Sequence, residues 1–332
     1  MSRRATLVPL AAIAVALLCA FSWPRGADPS TPTAGPDFRG RKLAGADLRG
    51  AALAGANFEG AVLTGANLTG ADLDHARFKG ADLREAYLRG ARARGADFSA
   101  ARLAAADLTR ADLRGARLDA ADLSRAHLDG AQLDGASLRA AFLPGAGLVK
   151  ANLAGAHLED AVLAGADLTQ AILAGAMAAR ADFGSRESGQ QDPSAATMAG
   201  ADLRRADFSG ANLTGVNLRE ARLEDAKLLG ARLGYADLSW AEARGADLSH
   251  AAMGWTKAYG ANFRNARLVG ATLTQAQLEG CDLSGADLSE ALLDSTNFNQ
   301  ANMSATNMAK VQARNVLANA VIRRPAALAE GN

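Results

Sequence analysis

Four histidines and two cysteines are the residues of this 332-residue chain that most readily bind metals or attack substrates. His75, His127, His157 and His250 fall on outward-facing positions that differ within the twenty-residue coil described below, so their rings are not expected to converge on one ion. Cys281 replaces an alanine that should face the interior, which predicts a buried, inert thiol. The sequence contains no Walker, dinucleotide or G-x-S-x-G motif. It therefore predicts no catalytic, cofactor-binding or metal site, and an enzyme is not expected.

A group of aromatic residues in the last third of the chain could take part in binding. Its members are Tyr235, Trp240, Trp255 and Tyr259. Tyr235 and Trp255 are twenty residues apart and should stack on adjacent coils, and exposed aromatic residues are enriched in protein interfaces. Ala243 and Ala258 replace large core residues in this region, so an aromatic side chain could instead fold inward to fill space. A protein-binding patch and local packing are the two interpretations.

Charge is balanced over the whole chain, with 36 Lys and Arg against 35 Asp and Glu. Binding nucleic acid through bulk charge needs a basic excess, so no nucleic-acid partner is predicted. Charged residues recur at intervals of twenty, as in Asp74, Arg94, Arg114 and Asp134. Opposite charges on neighbouring strands stabilise each other by about 0.2–1 kcal/mol per pair. Most of the charge is therefore expected to form a solvated surface.

A five-residue repeat runs from Phe38 to Met308. Of the 55 positions in this range whose numbers end in 3 or 8, 49 hold Leu, Phe or Met, and Ala stands two residues earlier in 46 cases. An α-helix would spread these residues around its circumference, and a continuous strand would point successive ones to opposite faces. The chain must therefore turn after each unit, so that every large residue faces one interior.

Glycine marks these turns, because 27 of the 34 glycines lie at positions whose numbers end in 0 or 5. These positions come two residues after the large residue, as in Leu48-Arg49-Gly50-Ala51. The third residue of a type II turn needs a positive φ, which glycine adopts without steric cost. Where another residue stands there, a different turn is expected. Examples are Glu85, Arg110, Arg125 and Lys150.

Phenylalanines indicate how many units complete one coil. Phe38, Phe58, Phe78 and Phe98 recur every twenty residues, so four units should make a coil and the four rings should stack. Each unit then sends one large and one small side chain inward, which suits a narrow interior.

The A-[DN]-L-x-G unit, as in Ala46-Asp47-Leu48-Arg49-Gly50, resembles the pentapeptide repeat family. The resemblance covers about residues 36–310 and implies an all-β fold, a right-handed quadrilateral parallel β-helix. Asp or Asn occupies the second position of 26 of the 55 units. In such a solenoid these side chains are expected to point outward and bond the local backbone.

The chain divides into six segments. They are a signal peptide or membrane anchor (1–23), a Pro-rich linker (24–35), a first β-helical block (36–185), a loop or degenerate repeats (186–195), a second block (196–310) and a C-terminal cap or tail (311–332). Gly189 and Pro193 favour the loop. Val311, Asn315, Ala318 and Ile322 have helical spacing and predict a short helical cap, whereas Val311 and Val316 also lie in register for degenerate repeats.

The N-terminal segment is typical of export. Arg3 and Arg4 precede an apolar stretch over 5–23, a pattern shared by signal peptides and membrane anchors. A cleaved signal, an uncleaved anchor and a lipoprotein attached at Cys19 are the alternatives. The positive-inside rule places the rest of the chain outside the cytoplasm, in the periplasm or another extracytoplasmic space, tethered to the inner membrane by 5–23 if the segment is retained.

These features predict a non-enzymatic exported solenoid that serves as a protein-binding or structural module at the cell envelope, with an unknown protein partner. The family resemblance offers an alternative, since some members mimic DNA and act on type II topoisomerases. Those members are strongly acidic. Without Arg3, Arg4 and Arg25, this chain has 33 basic residues against 35 acidic ones, a net charge of only −2.

Overall fold

The computed structural model describes residues 35–185 and 194–321, which form one continuous four-sided solenoid. Each five-residue unit contributes a single parallel bridge residue followed by a two-residue turn, so these ranges contain neither helices nor longer strands. The bridges run from Asp37, paired with Asn57, to Asn297, paired with Leu317. The predicted signal or anchor (1–23) lies outside the described residues, as does all of the predicted linker (24–35) except Gly35.

Four sides follow one another around each coil, because most bridge partners are twenty residues apart. The first, second, third and fourth sides are named here by the central residues of their first units. These are Phe38, Leu43, Leu48 and Leu53. Within the described ranges, no helix is present that could cross a membrane.

The interior is filled by the central residue of each unit and the alanine two residues earlier. Phe38, Phe58, Phe78 and Phe98 form the predicted stack, with successive ring centroids 4.8, 4.8 and 4.7 Å apart. This spacing matches the distance of roughly 4.8 Å between paired strands. The distance between successive rings is therefore set by the distance between successive coils.

Small core residues have large neighbours in the following coil. Ala178 and Ala243 stand where most units have Leu, and both are buried. On the same side of the next coil lie Phe208 and Phe263 respectively. Because interiors are packed near crystalline density, this pairing compensates the missing volume.

The corners adopt one conformation whether or not they hold glycine. Leu48 O accepts a hydrogen bond from Ala51 N at 3.1 Å, and Gly50 has φ +61°. The different turn predicted at Glu85, Arg110, Arg125 and Lys150 is wrong, because their φ values lie between 54° and 57°. Most corner N–H groups donate to the next coil, as Glu85 N does to Ala104 O at 3.0 Å. The neighbouring coils therefore hold the corner in a conformation that the residue alone would avoid.

Asp and Asn at the second position of the unit bond the local backbone, as predicted. Asp97 Oδ1 accepts the N–H of Ser99 at 2.9 Å, and Asn67 Oδ1 accepts that of Thr69 at 3.1 Å. The acceptor and the donor are two residues apart and flank the buried central residue. The side chain thus ties the outward end of the unit to the start of its turn.

The solenoid continues across the interruption in the repeat. The predicted loop or degenerate repeats at 186–195 lie mostly outside the described residues, but both flanks are described. Phe183 O accepts a hydrogen bond from Ala196 N at 2.8 Å, as a unit's central residue normally does from the residue three later. From Asp167 to Asp182, bridge partners are thirty rather than twenty residues apart. The ladder therefore passes over ten additional residues with its register intact.

The helical cap predicted for 311–332 is wrong over 311–321. Gln312 pairs with Leu292 and Leu317 pairs with Asn297, so the coil continues instead. Leu293 N donates to Gln312 O at 2.8 Å. Val311 and Val316 pack partly buried in the slots that alanine fills elsewhere, so their register was the informative signal rather than the helical spacing. The remainder, 322–332, lies outside the described residues.

Candidate protein-binding surface

The four aromatic residues predicted as a patch surround the third side of two successive coils. Tyr235 and Trp255 lie at the corner between the second and third sides, and Trp240 lies at the corner between the third and fourth. Tyr259 lies on the third side. Trp240, Trp255 and Tyr259 are 58%, 46% and 37% exposed, whereas Tyr235 is half-buried. We call these four residues the aromatic cluster.

Tyr235 and Trp255 stack, as their twenty-residue spacing predicts. Their ring centroids are 6.0 Å apart and their planes differ by 10°. Aromatic pairs at such separations stabilise each other by about 0.5–1.5 kcal/mol beyond simple burial. The pair therefore forms a rigid ridge along one corner.

Trp240 has a different support, which the sequence interpretation missed. A Cβ on Gly260 would collide with the Trp240 ring atoms Cζ3, Cε3 and Cη2, so the indole lies against the bare backbone of the next coil. His75 over Gly95 and His250 over Gly270 follow the same arrangement. The sequence feature that predicts this contact is a glycine twenty residues after a large corner residue.

The packing interpretation requires an aromatic side chain to turn into the core, but none of the three exposed side chains of the cluster does so. Ala243 and Ala258 are buried, while three of the four cluster side chains are exposed at the surface. Phe263 follows Ala243 in the ladder, and Cys281 Sγ donates to Ala258 O at 2.8 Å. The core near the cluster is thus closed by other residues.

Three cluster residues sit in the left-handed region. Tyr235, Trp240 and Trp255 have φ of 60°, 61° and 61°. This conformation costs an L-residue roughly 1–2 kcal/mol, and glycine occupies it freely at many other corners of this chain. Corners such as Glu85 and Ala105 share this conformation, so the exposure of the rings, rather than the backbone, sets the cluster apart.

Polar groups lie between the two aromatic corners. Ser239 is buried, and its Oγ has no hydrogen-bond partner among the described residues. Asp237 pairs with Arg219 at 3.3 Å. The Lys257 ammonium forms no ion pair within the described ranges. The surface therefore combines aromatic rings with a cation and a buried hydroxyl.

The other candidate reactive groups do not form a site. Burial raises the pKa of the Cys281 thiol to about 12, which keeps it protonated and unreactive at neutral pH. In the part of the chain that the structure describes, no group of three His, Cys, Asp or Glu residues could hold a metal ion. His157 Nδ1 lies 3.3 Å from Glu159 Oε1. This pair is on the first side of the solenoid, in a coil of the first block, whereas the aromatic cluster is in the second block.

Many acidic side chains are neutralised within their own unit. Arg49 Nε and Nη2 donate to the two oxygens of Asp47 at 2.8 and 2.6 Å. The Arg39 guanidinium lowers the pKa of Asp37 to about 2 through the same bidentate contact. Arg114 likewise lowers the pKa of Asp112. Asp-x-Arg units thus present paired charges to solvent.

Comparison with known proteins identifies the repeat. Eight copies of the pentapeptide repeat family match residues 42–80, 81–119, 116–153, 146–184, 194–225, 221–257, 246–285 and 281–317. No curated protein sequence matches the chain.

Several solved structures are similar. HetL, a pentapeptide repeat protein of the cyanobacterium Nostoc sp. involved in heterocyst differentiation regulation, is 34% identical over 69% of this chain and 88% of its own, with a TM-score of 0.25. QnrB1, a plasmid-mediated fluoroquinolone resistance protein, is 19% identical over 52% and 91%, with a TM-score of 0.31. A pentapeptide repeat protein of the Arabidopsis thaliana thylakoid lumen is 31% identical over 37% and 65%, with a TM-score of 0.13.

Proposed function

The chain belongs to the pentapeptide repeat family, and from that premise we propose that it is a non-enzymatic module that binds a protein partner through the aromatic cluster. The observation that carries this proposal is the exposure of Trp240, Trp255 and Tyr259 on two successive coils, where Trp255 is stacked on Tyr235. Tyr and Trp are among the residues most enriched at the energetic centres of protein interfaces. The rest of the solenoid serves to hold the cluster rigidly.

The proposal is tested by capture from a cell-envelope fraction with the full chain as bait. Trp255→Ala and Trp240→Ala are each expected to lose a bound protein that the wild type retains. Tyr87→Ala is the matched control, because Tyr87 is equally exposed on the third side but lies in the first block. Equal capture by all four baits would reject the aromatic cluster as the binding surface.

We further propose that the module acts outside the cytoplasm. Support comes from Arg3 and Arg4 followed by the apolar stretch 5–23. A reporter fused after residue 35 tests this, using a phosphatase active only after export and a fluorescent protein active only before it. Activity of the cytoplasmic reporter alone would reject export and leave the aromatic cluster to be judged separately.

Topoisomerase binding through DNA mimicry is not favoured by the surface. A DNA mimic needs a dense array of unpaired carboxylates, whereas Asp37, Asp47 and Asp112 each face an arginine of their own unit. Neighbouring coils add further pairs, such as Arg94 with Asp112 at 3.1 Å. A gyrase supercoiling assay is therefore expected to show neither inhibition nor protection from a quinolone.

A further inference from the structure

We infer that Arg244 and Arg264, on the fourth side that begins at the Trp240 corner, extend the aromatic cluster into a surface that binds an acidic segment of a partner protein. The inference rests on the proposed function and specifies the partner's chemistry. Both arginines are exposed. They are adjacent in the ladder, because Glu242 pairs with Asn262 two residues before them.

Arginines at this position of the fourth side are usually paired with carboxylates. Arg114 contacts Asp112 at 2.7 Å and Arg94 contacts the same carboxylate at 3.1 Å. Arg204 is held by Asp202 in the same way. Within the described residues, the guanidinium groups of Arg244 and Arg264 form neither an ion pair nor a hydrogen bond, although the backbone N–H of Arg264 donates to Asn262 Oδ1.

A change of residue two positions earlier explains the difference. The units of Arg114 and Arg204 have Asp there, and Arg94 reaches Asp112 of the next coil, whereas the units of Arg244 and Arg264 have Glu242 and Asn262. Glu242 Oε2 instead accepts a hydrogen bond from Asn262 Nδ2 at 2.8 Å. On the preceding coil, Glu224 lies 3.7 Å from Arg222 and Asp225 lies against Gly245, and neither forms an ion pair with Arg244 among the described residues. Two guanidinium groups are therefore left available to an outside anion.

Their position ties them to the aromatic cluster. Arg244 follows Trp240 by four residues, and Arg264 follows Gly260, the seat of the Trp240 indole, by four. Both coils thus pass from the Trp240 corner directly onto the side that carries the two arginines. Trp, Tyr and Arg are the three residue types most enriched in interface hot spots. A guanidinium also binds carboxylates through two parallel hydrogen bonds.

Charge complementarity identifies the occupant as an acidic protein segment. The chain's own termini do not match, because residues 1–34 carry three Arg and one Asp, and residues 322–332 carry two Arg and one Glu. A segment laid along the fourth side, with an apolar side chain at one end and two carboxylates at the other, would meet the Trp240 ring, Arg244 and Arg264 together. The partner is accordingly expected to be acidic where it touches this chain.

A phage-displayed library of random peptides, selected on the immobilised full chain, is the probe. Peptides that bind wild type but not Trp240→Ala are expected to be rich in Asp and Glu. The best of them is then synthesised in its acidic form and with Asn and Gln in place of Asp and Glu. Dissociation constants are measured with wild type, with Arg244→Gln/Arg264→Gln and with Lys79→Gln/Arg89→Gln. The last variant removes two exposed cations of the first block that form no ion pair within the described ranges.

The Arg244→Gln/Arg264→Gln substitution is expected to raise the dissociation constant of the acidic peptide at least about tenfold. The control variant is expected to leave that dissociation constant unchanged. The amide peptide should bind wild type about as weakly as the acidic peptide binds the arginine variant. If Trp240-dependent peptides are neutral, or bind the arginine variant normally, the acidic-partner inference fails while the proposed function stands. If no peptide depends on Trp240, both fail. An oligoglucuronate that competes more tightly than any peptide would replace the protein partner with an acidic glycan.

Discussion

At the scale of single residues, the residue at the corner determines how much backbone strain each five-residue unit contains. Many corners hold a residue other than glycine at a φ near +55° to +60°. The hydrogen bonds to the coils on either side enforce that geometry. The strain is therefore distributed along the whole rod and is relieved wherever glycine stands.

Replacing a corner alanine with glycine should stabilise the fold. Ala105 has φ +57°, so Ala105→Gly is expected to raise the free energy of unfolding by about 0.5–1 kcal/mol, since glycine accepts this conformation without strain. Ala104 precedes it outside the left-handed region, so Ala104→Gly should instead lower stability by a similar amount. Urea denaturation of both variants checks the sign. Equal destabilisation by the two would show that the corner is not strained.

The seat of Trp240 gives a second prediction at this scale. Gly260 and Gly280 have φ of +62° and +69°, so alanine at either position should cost about 1 kcal/mol or more. Only at Gly260 would the new methyl group strike the Trp240 ring. Gly260→Ala should therefore also shift the emission of Trp240, measured in a Trp23→Phe/Trp255→Phe background. An emission spectrum identical to that of Gly280→Ala would contradict the contact.

At the scale of the five-residue element, the Asp-x-Arg unit couples stability to pH. Its arginine lowers the pKa of the carboxyl in Asp47, Asp82 and Asp112, chiefly through the side-chain hydrogen bond. A pKa that is lower in the folded state contributes stability that is fully present above the unfolded-state pKa of about 3.9. That contribution is lost as pH falls through the folded-state pKa.

Wild type should therefore lose stability as the pH falls below about 4, and Asp112→Asn should lose less. The asparagine keeps the oxygen that accepts the backbone N–H of Arg114 but removes the charge that Arg114 and Arg94 contact. Unfolding free energies measured from neutral pH down to about pH 2 check this. The two curves should converge at the acid end. A constant gap between them would show that the ion pairs do not carry the effect.

At the scale of the whole molecule, each coil contacts only its neighbours, so local changes should stay local. Deleting 186–195 is expected to leave the fold and its stability almost unchanged, because Phe183 O already bonds Ala196 N and the flanking bridges already pass over ten residues. Shortening a loop changes its closure entropy by only about 0.6 kcal/mol per halving. Deleting 196–205 instead removes two sides of a coil and moves Phe208 away from Ala178, so a clear loss of stability is expected. Thermal unfolding compares the two deletions.

The five-residue period made most of this architecture predictable. It requires a turn after each unit, and the spacing of Phe38, Phe58, Phe78 and Phe98 gives the number of units per coil. The corner conformation at Glu85 was not predictable from local preference, because bonds to neighbouring coils override it. The C-terminal helix was wrong for a related reason, since pairing of Gln312 and Leu317 with the preceding coil outweighs helical spacing.

The aromatic cluster was predictable as a set, but its supports were not. Stacking of Tyr235 on Trp255 follows from their spacing alone. The contact of Trp240 with Gly260 depends on the direction in which corner side chains lean, and the freedom of Arg244 depends on a hydrogen bond between Glu242 and Asn262. Such features require side-chain geometry across coils.

The corner contacts give the rod an intrinsic direction, since His75, Trp240 and Asn265 each lie over the glycine of the coil that follows. The segment that can be duplicated without breaking these contacts is consequently longer than one twenty-residue coil. Duplicating residues 226–245 alone would place a second tryptophan where Gly260 now stands, and the first indole would lose its seat. Duplicating 226–265 would carry each ring together with the surface beneath it. Gene segments encoding two coils, rather than one, are the units by which such a rod could lengthen and keep its binding surface.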